Sequence, residues 1–161
     1  ASGNLTLNAA LDVGSGNVTL LASGDLTQAA AGDIATSGDI DIEAGGNATM
    51  TDGASSTTTD GNIRYNMTGS LDLGSLSSTN GHVSLIADSI TDSGAAGNTD
   101  EDVSAETLRV EVTGAAGGFG ASDNAIHTSV GTMSVGAGTG GGPDFPSNRS
   151  KTSSTRTNPN H

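Results

Sequence analysis

Cysteine and tryptophan are absent, and the 161 residues include only one tyrosine, two phenylalanines and three prolines. Without cysteine there is neither a disulfide framework nor a thiolate metal site. Apolar residues at 32% and aromatics at 2% are too sparse for an ordinary two-layer globular core. Basic residues are scarce too: five Lys and Arg stand against 18 Asp and Glu, a formal net charge of −13. An acidic chain with almost no aromatic platforms repels phosphate, which argues against nucleic acid as a partner. No apolar run is long enough to span a membrane. There is no initiator Met and no charged-then-apolar leader. The chain starts inside a repeated phrase, which points to a processed product or a piece of something larger.

What is present in quantity is glycine, 25 residues of it, with Ser, Thr, Asn and Asp. Such a composition on its own reads as disorder. Against that stands a recurring phrase: glycine, a small polar residue, then apolar–x–apolar. It occurs as Gly3-Asn4-Leu5-Thr6-Leu7, Gly16-Asn17-Val18-Thr19-Leu20, Gly38-Asp39-Ile40-Asp41-Ile42, Gly61-Asn62-Ile63-Arg64-Tyr65 and Gly81-His82-Val83-Ser84-Leu85. The later starts lie 22, 23 and 20 residues apart. A period near 20 with apolar residues in register is the mark of a solenoid of stacked coils, and a disordered tract has no reason to keep it.

Within several repeats the phrase returns eight residues later, as at Gly24-Asp25-Leu26, Gly46-Asn47-Ala48 and Gly69-Ser70-Leu71. Each coil therefore reads as two fixed strands and a more variable third side, a triangular parallel β-helix of about six coils. Alternation within the first strand assigns inward triplets Leu5/Leu7/Ala9, Val18/Leu20/Ala22, Ile40/Ile42/Ala44, Ile63/Tyr65/Met67, Val83/Leu85/Ala87 and Leu108/Val110/Val112. The glycine is expected to supply positive φ at a corner, with the following Asn or Asp capping its own turn. Asp41 and Arg64, one coil apart, are placed to pair on the surface. Residues 51–60 and 91–106 are polar insertions expected to leave the rod as loops. The solenoid is assigned to residues 1–135. Residues 136–161, rich in Gly and then in Ser, Thr, Asn and Pro, read as a flexible linker or extension.

The phrase, together with GGFGASDNAIHTSVGTMSV at residues 117–135, resembles the filamentous haemagglutinin-like large secreted adhesins of Gram-negative bacteria. Gly118, Gly120, Asn124, Ile126, Thr128, Val130 and Met133 match the family's recurring block, and Ala125 stands where a proline is usual. The resemblance implies a right-handed parallel β-helix, export from the cell and a surface or matrix role. It transfers no catalytic residue.

Chemistry-bearing motifs are few. There is no nucleophile elbow, zinc-protease helix motif or phosphate-binding loop. Gly136-x-Gly138-x-x-Gly141 fits a dinucleotide fingerprint only in letters, with no helix to follow. His82 occupies a corner slot. Asp100, Asp102 and Glu106 are candidates for calcium, a hard cation that takes oxygen ligands, with a solvated acidic loop as the alternative. Asp39, Asp41 and Glu43, with Asp72 or Asp92, are the carboxylates a sugar-cleaving site would draw on, but aromatic platforms are missing. The sequons at Asn4, Asn17, Asn47, Asn66 and Asn148 are glycosylation candidates. Outward Thr6, Thr19 and Thr49 resemble the face of an ice-binding solenoid, interrupted by Asp41, Arg64 and Ser84.

The sequence thus points to a non-enzymatic component of an extracellular fibre or bacterial surface adhesin. Self-assembly end to end, or continuation in a longer chain, is expected, with Leu5 and Leu7 of the first coil docking on Leu108 and Val110 of the last. The alternatives are a monomeric segment binding carbohydrate or a host surface, and, behind it, a polysaccharide-degrading β-helix.

Overall fold

The computed structural model describes residues 1–137. Every strand pairing in it is parallel. The strands are β1 (Leu5–Leu7), β2 (Leu11–Asp12), β3 (Val18–Ala22), β4 (Leu26–Gln28), β5 (Ile34–Thr36), β6 (Ile40–Ala44) and β7 (Ala48–Met50). They continue with β8 (Ser55–Thr58), β9 (Ile63–Met67), β10 (Leu71–Leu73), β11 (Ser75–Ala87), β12 (Ile90–Asp92), β13 (Val103–Val112) and β14 (Thr128–Ala137). They wind into a β-solenoid of about six three-sided turns.

One side stacks β3, β6 and β9 on the second halves of β11, β13 and β14. Another stacks β1, β4, β7, β10 and β12, and Phe119 extends that column by a bridge to Ile90. The third stacks β2, β5 and β8 on the first halves of β11, β13 and β14. In β11 and β13 the chain rounds the corner between two sides without leaving the sheet, at a register shift between Ser78 and His82.

Alternation does what the sequence pattern requires: β6 and β9 both read buried, half-buried, buried, half-buried, buried. One apolar cluster runs the length of the rod, with Ile40, Ile42, Ile63, Tyr65, Val83, Leu85, Leu108 and Val110 stacked in line. A low apolar content suffices because each turn needs only a few inward side chains, which neighbouring turns cover.

Three expectations are corrected. Leu5 and Leu7 belong not with Val18 and Leu20 but with Leu26 and Gln28, because the first phrase is the second-strand version of the repeat; Ala9 is exposed. Residues 51–60 stay in the rod, since β8 lies between β5 and β11. Of 91–106, only 93–102 leaves it; the ends are strand residues of β12 and β13. Polar composition misled because the third side tolerates inward hydroxyls. Thr36, Ser56, Thr58 and Ser78 are all buried.

Those hydroxyls have partners. Thr58 Oγ1 donates to the Gly38 carbonyl at 2.7 Å and Ser78 Oγ to the Gly61 carbonyl at 2.7 Å, each one turn back. Thr36 Oγ1 reaches the Gly16 carbonyl in the same way. Deeper in, Tyr65 donates its hydroxyl proton to Gln28 Oε1 at 3.0 Å and lies 2.8 Å from Ser56 Oγ. Gln28 Nε2 donates to the Ser55 carbonyl at 2.7 Å. Burial pushes the Tyr65 hydroxyl pKa up, opposed by its bond to Ser56, so the phenol stays neutral. A buried polar trio with its bonds made fixes the register of the turns that contribute it.

Candidate functional site

The repeated phrase builds two ladders along the corners of the rod. On one, Asn17 Oδ1 accepts from the Asp39 amide, Asp39 Oδ1 from the Asn62 amide and Asn62 Oδ1 from the His82 amide, at 3.0, 2.8 and 3.0 Å. On the other, Asn4 Oδ1 accepts from Asp25, Asp25 Oδ1 from Asn47 and Asn47 Oδ1 from Ser70, each at 2.9 Å. The Asn or Asp therefore caps the next turn's backbone rather than its own.

The glycine has a matching reason, and it is not φ. Among the phrase glycines only Gly3 has positive φ. A Cβ on Gly24, Gly38, Gly46 or Gly69 would stand 2.3–2.4 Å from the Asn or Asp oxygen of the preceding turn. On Gly61 or Gly81 it would meet the preceding glycine's carbonyl oxygen at 2.1–2.2 Å. Stacking distance, not turn conformation, selects glycine there. His82 takes the corner slot as expected and bonds Thr107 Oγ1 through Nδ1 at 2.6 Å.

Of the carboxylates of the sugar-cleaving alternative, Asp41 and Glu43 meet at Arg64, while Asp72 stands apart from them. Arg64 engages Asp41 at 2.8 Å and also Glu43, and its pKa is held up chiefly by the hydrogen bond to Asp41. Asp72 lies on another side of the rod, accepting from Thr91 Oγ1 at 2.6 Å. The outward threonines also fall on two faces: Thr6, Thr27, Thr49, Asp72 and Thr91 share one column, while Thr19 stacks on Asp41 and Arg64 in another.

The assembly residues divide. Leu5 and Leu7 line the outermost turn at one end, half-buried. Leu108 and Val110 are not terminal: Met133 and Val135 of β14 lie over them, and each is only 1% exposed. The block at 117–135 supplies a turn beyond Leu108 that the inward triplets did not include. In it Ile126 is buried, and Asn124 Nδ2 donates to the carbonyls of Asp92 and Gly94 at 3.1 and 2.9 Å.

Of the calcium candidates, Asp100 and Asp102 line a cavity of about 140 Å³ together with Asp52, Asp92, Ser93, Asn98 and Glu101. Glu106 is exposed on β13 and does not line it. Asp102 Oδ2 accepts from the His127 amide at 2.7 Å. Burial, with smaller contributions from Asp92 and Asp100, pushes the Asp102 carboxyl up to about 6 despite that bond. Asp52 and Asp92 were absent from the sequence-based calcium set because 40 residues separate them and only winding brings them to one corner.

The sequon residues Asn4, Asn17 and Asn47 are exposed, and Asn66 is half-buried on β9. Asn148 lies outside the described residues, as does the 136–161 extension apart from Gly136 and Ala137, which end β14. Among the described residues no helix is long and apolar enough to cross a membrane. No family model, no curated protein and no solved structure matches the chain.

Proposed function

We propose that this protein is a structural, non-enzymatic segment of an extracellular fibre or surface adhesin, whose rods join end to end. The observation that carries this reading is the N-terminal edge. There β1, β2 and β3 each pair on one side only, and Leu5, Leu7, Leu11 and Leu20 pack against the core while remaining part-exposed. A strand edge over an apolar floor is a template for further parallel strands, supplied by a second copy or by a longer chain. Continuing the observed columns, a second copy presents Phe119 to Leu5, Met133 to Val18 and Val135 to Leu20. This replaces the Leu108 and Val110 contact expected from sequence. The extracellular setting rests on the resemblance to the secreted adhesins.

Negative-stain electron microscopy across a concentration series tests the reading. Uniform fibres that lengthen with concentration are expected. Leu7→Lys and Leu20→Lys should abolish them while the circular dichroism of the rod is kept. Isolated short rods at every concentration would overturn self-assembly and favour the monomeric adhesin segment, with glycan binding sought at loop 93–102.

A further inference from the structure

The cavity beside loop 93–102 is lined by five carboxylate residues, Asp52, Asp92, Asp100, Glu101 and Asp102, and by no Lys, Arg or His. Charge alone does not make a site, since acidic side chains on an acidic rod fall together by composition. The second observation is that three of its lining groups lack a partner. Asp92 Oδ2, Ser93 Oγ and Asn98 Oδ1 are buried and make no hydrogen bond. Asp92 is 9% exposed overall, with only Oδ1 engaged, by the Gly94 amide at 2.7 Å. A buried carboxylate oxygen beside an acidic cavity with nothing donating to it is costly unless a cation or solvent satisfies it.

We propose that this cavity is a calcium site, with Asp92 Oδ2 and Asn98 Oδ1 as the inner protein ligands and Asp52 and Asp100 adding negative charge. Calcium fits better than magnesium because it accepts a mixed, irregular set of carboxylate, amide and carbonyl oxygens, where magnesium demands a near-ideal octahedron. Among the described residues no three carboxylate or imidazole side chains stand together as a ready-made metal site, so the site depends on amide and carbonyl oxygens beside Asp92. Amide oxygens and water complete the shell, so affinity is expected in the range of about 0.1–1 mM typical of extracellular modules. Bound there, the ion ties loop 93–102 to the corners at Asp52–Ala54 and Gly74–Ser75, which come from different turns of the rod. Assembly of rods is not required for it.

Isothermal titration with calcium chloride and thermal melts of the full chain, against magnesium chloride at equal ionic strength, test the site. Saturable calcium binding and a rise in Tm of a few degrees, larger than with magnesium, are expected. Asp92→Asn should remove both, and Asp100→Asn, at an exposed position, should weaken binding at least about threefold. Glu106→Gln, outside the cavity, should bind as the parent does. A Tm that follows ionic strength alone, or calcium binding unchanged in both Asp92→Asn and Asp100→Asn, would overturn the proposal. If Asp92→Asn fails to fold, the Asp100→Asn titration decides.

Discussion

The same phrase is written in the first turn and in the middle of the rod, yet the two regions are physically different. In β6, Ile40 and Ile42 are 1% and 0% exposed. In β3, directly beneath, Val18 is buried but the inward Leu20 is half-exposed. Ile42 has Leu20 on one side and Tyr65 on the other, whereas Leu20 has only Ile42. Burial in a solenoid is conferred by neighbours on both flanks, so identical sequence has about half the support at an end. In the proposed end-to-end assembly, that difference makes the first turn the docking surface.

Glycine substitution should break the comparison most sharply. In Gly61→Ala the new Cβ would lie 2.1 Å from the Gly38 carbonyl oxygen and 2.6 Å from the Asp39 nitrogen. Backbone must move, and the expected loss is upwards of about 4 kcal/mol, or no folded protein. Gly16→Ala alters the same phrase position in the first turn, where the nearest atom is 3.7 Å away. It should be neutral or slightly stabilising, within about 1 kcal/mol. Urea denaturation of both variants measures the contrast, and equal losses would refute the stacking account of the glycine.

Truncating the apolar column comes next. Ile42→Ala should cost about 3–4 kcal/mol and Leu20→Ala about 1–2 kcal/mol, since the latter empties a position already half open. A similar cost for the two in denaturant would mean that the first turn is covered in solution, as in a fibre.

The smallest effect belongs to the surface. Arg64→Gln removes the pairs with Asp41 and Glu43, but these side chains are all more than a third exposed. Screening by solvent and salt leaves about 0–1 kcal/mol, shrinking as ionic strength rises. A larger loss that persists in high salt would show that Arg64 acts through packing of its stem.

Much of the fold was legible in the chain because the repeat is strict where the physics is strict. The column Val18, Ile40, Ile63, Val83, Leu108 could be written down unaided, as could the Asp41–Arg64 pair and the number of turns. The third side was less legible. Its inward residues are Thr36, Ser56, Thr58 and Ser78, which a hydrophobicity pattern reads as loop. The usable signal was a hydroxyl two or three residues before Gly38, Gly61 and Gly81. The placement of the first phrase also escaped, because Gly-Asn-Leu-Thr-Leu reads identically on two sides of the triangle, and only pairing with Leu26 decides between them.

The sequence by itself determined that the chain is a parallel β-solenoid, since alternation and period are local properties. Tertiary structure alone decided why each glycine is needed, which residues stand at the ends, and which acidic side chains meet. Those are contacts between turns some 20 residues or more apart, and their geometry depends on the exact winding rather than on any local preference. Asp52 and Asp92 are unremarkable separately; the winding of the rod brings them to the same cavity.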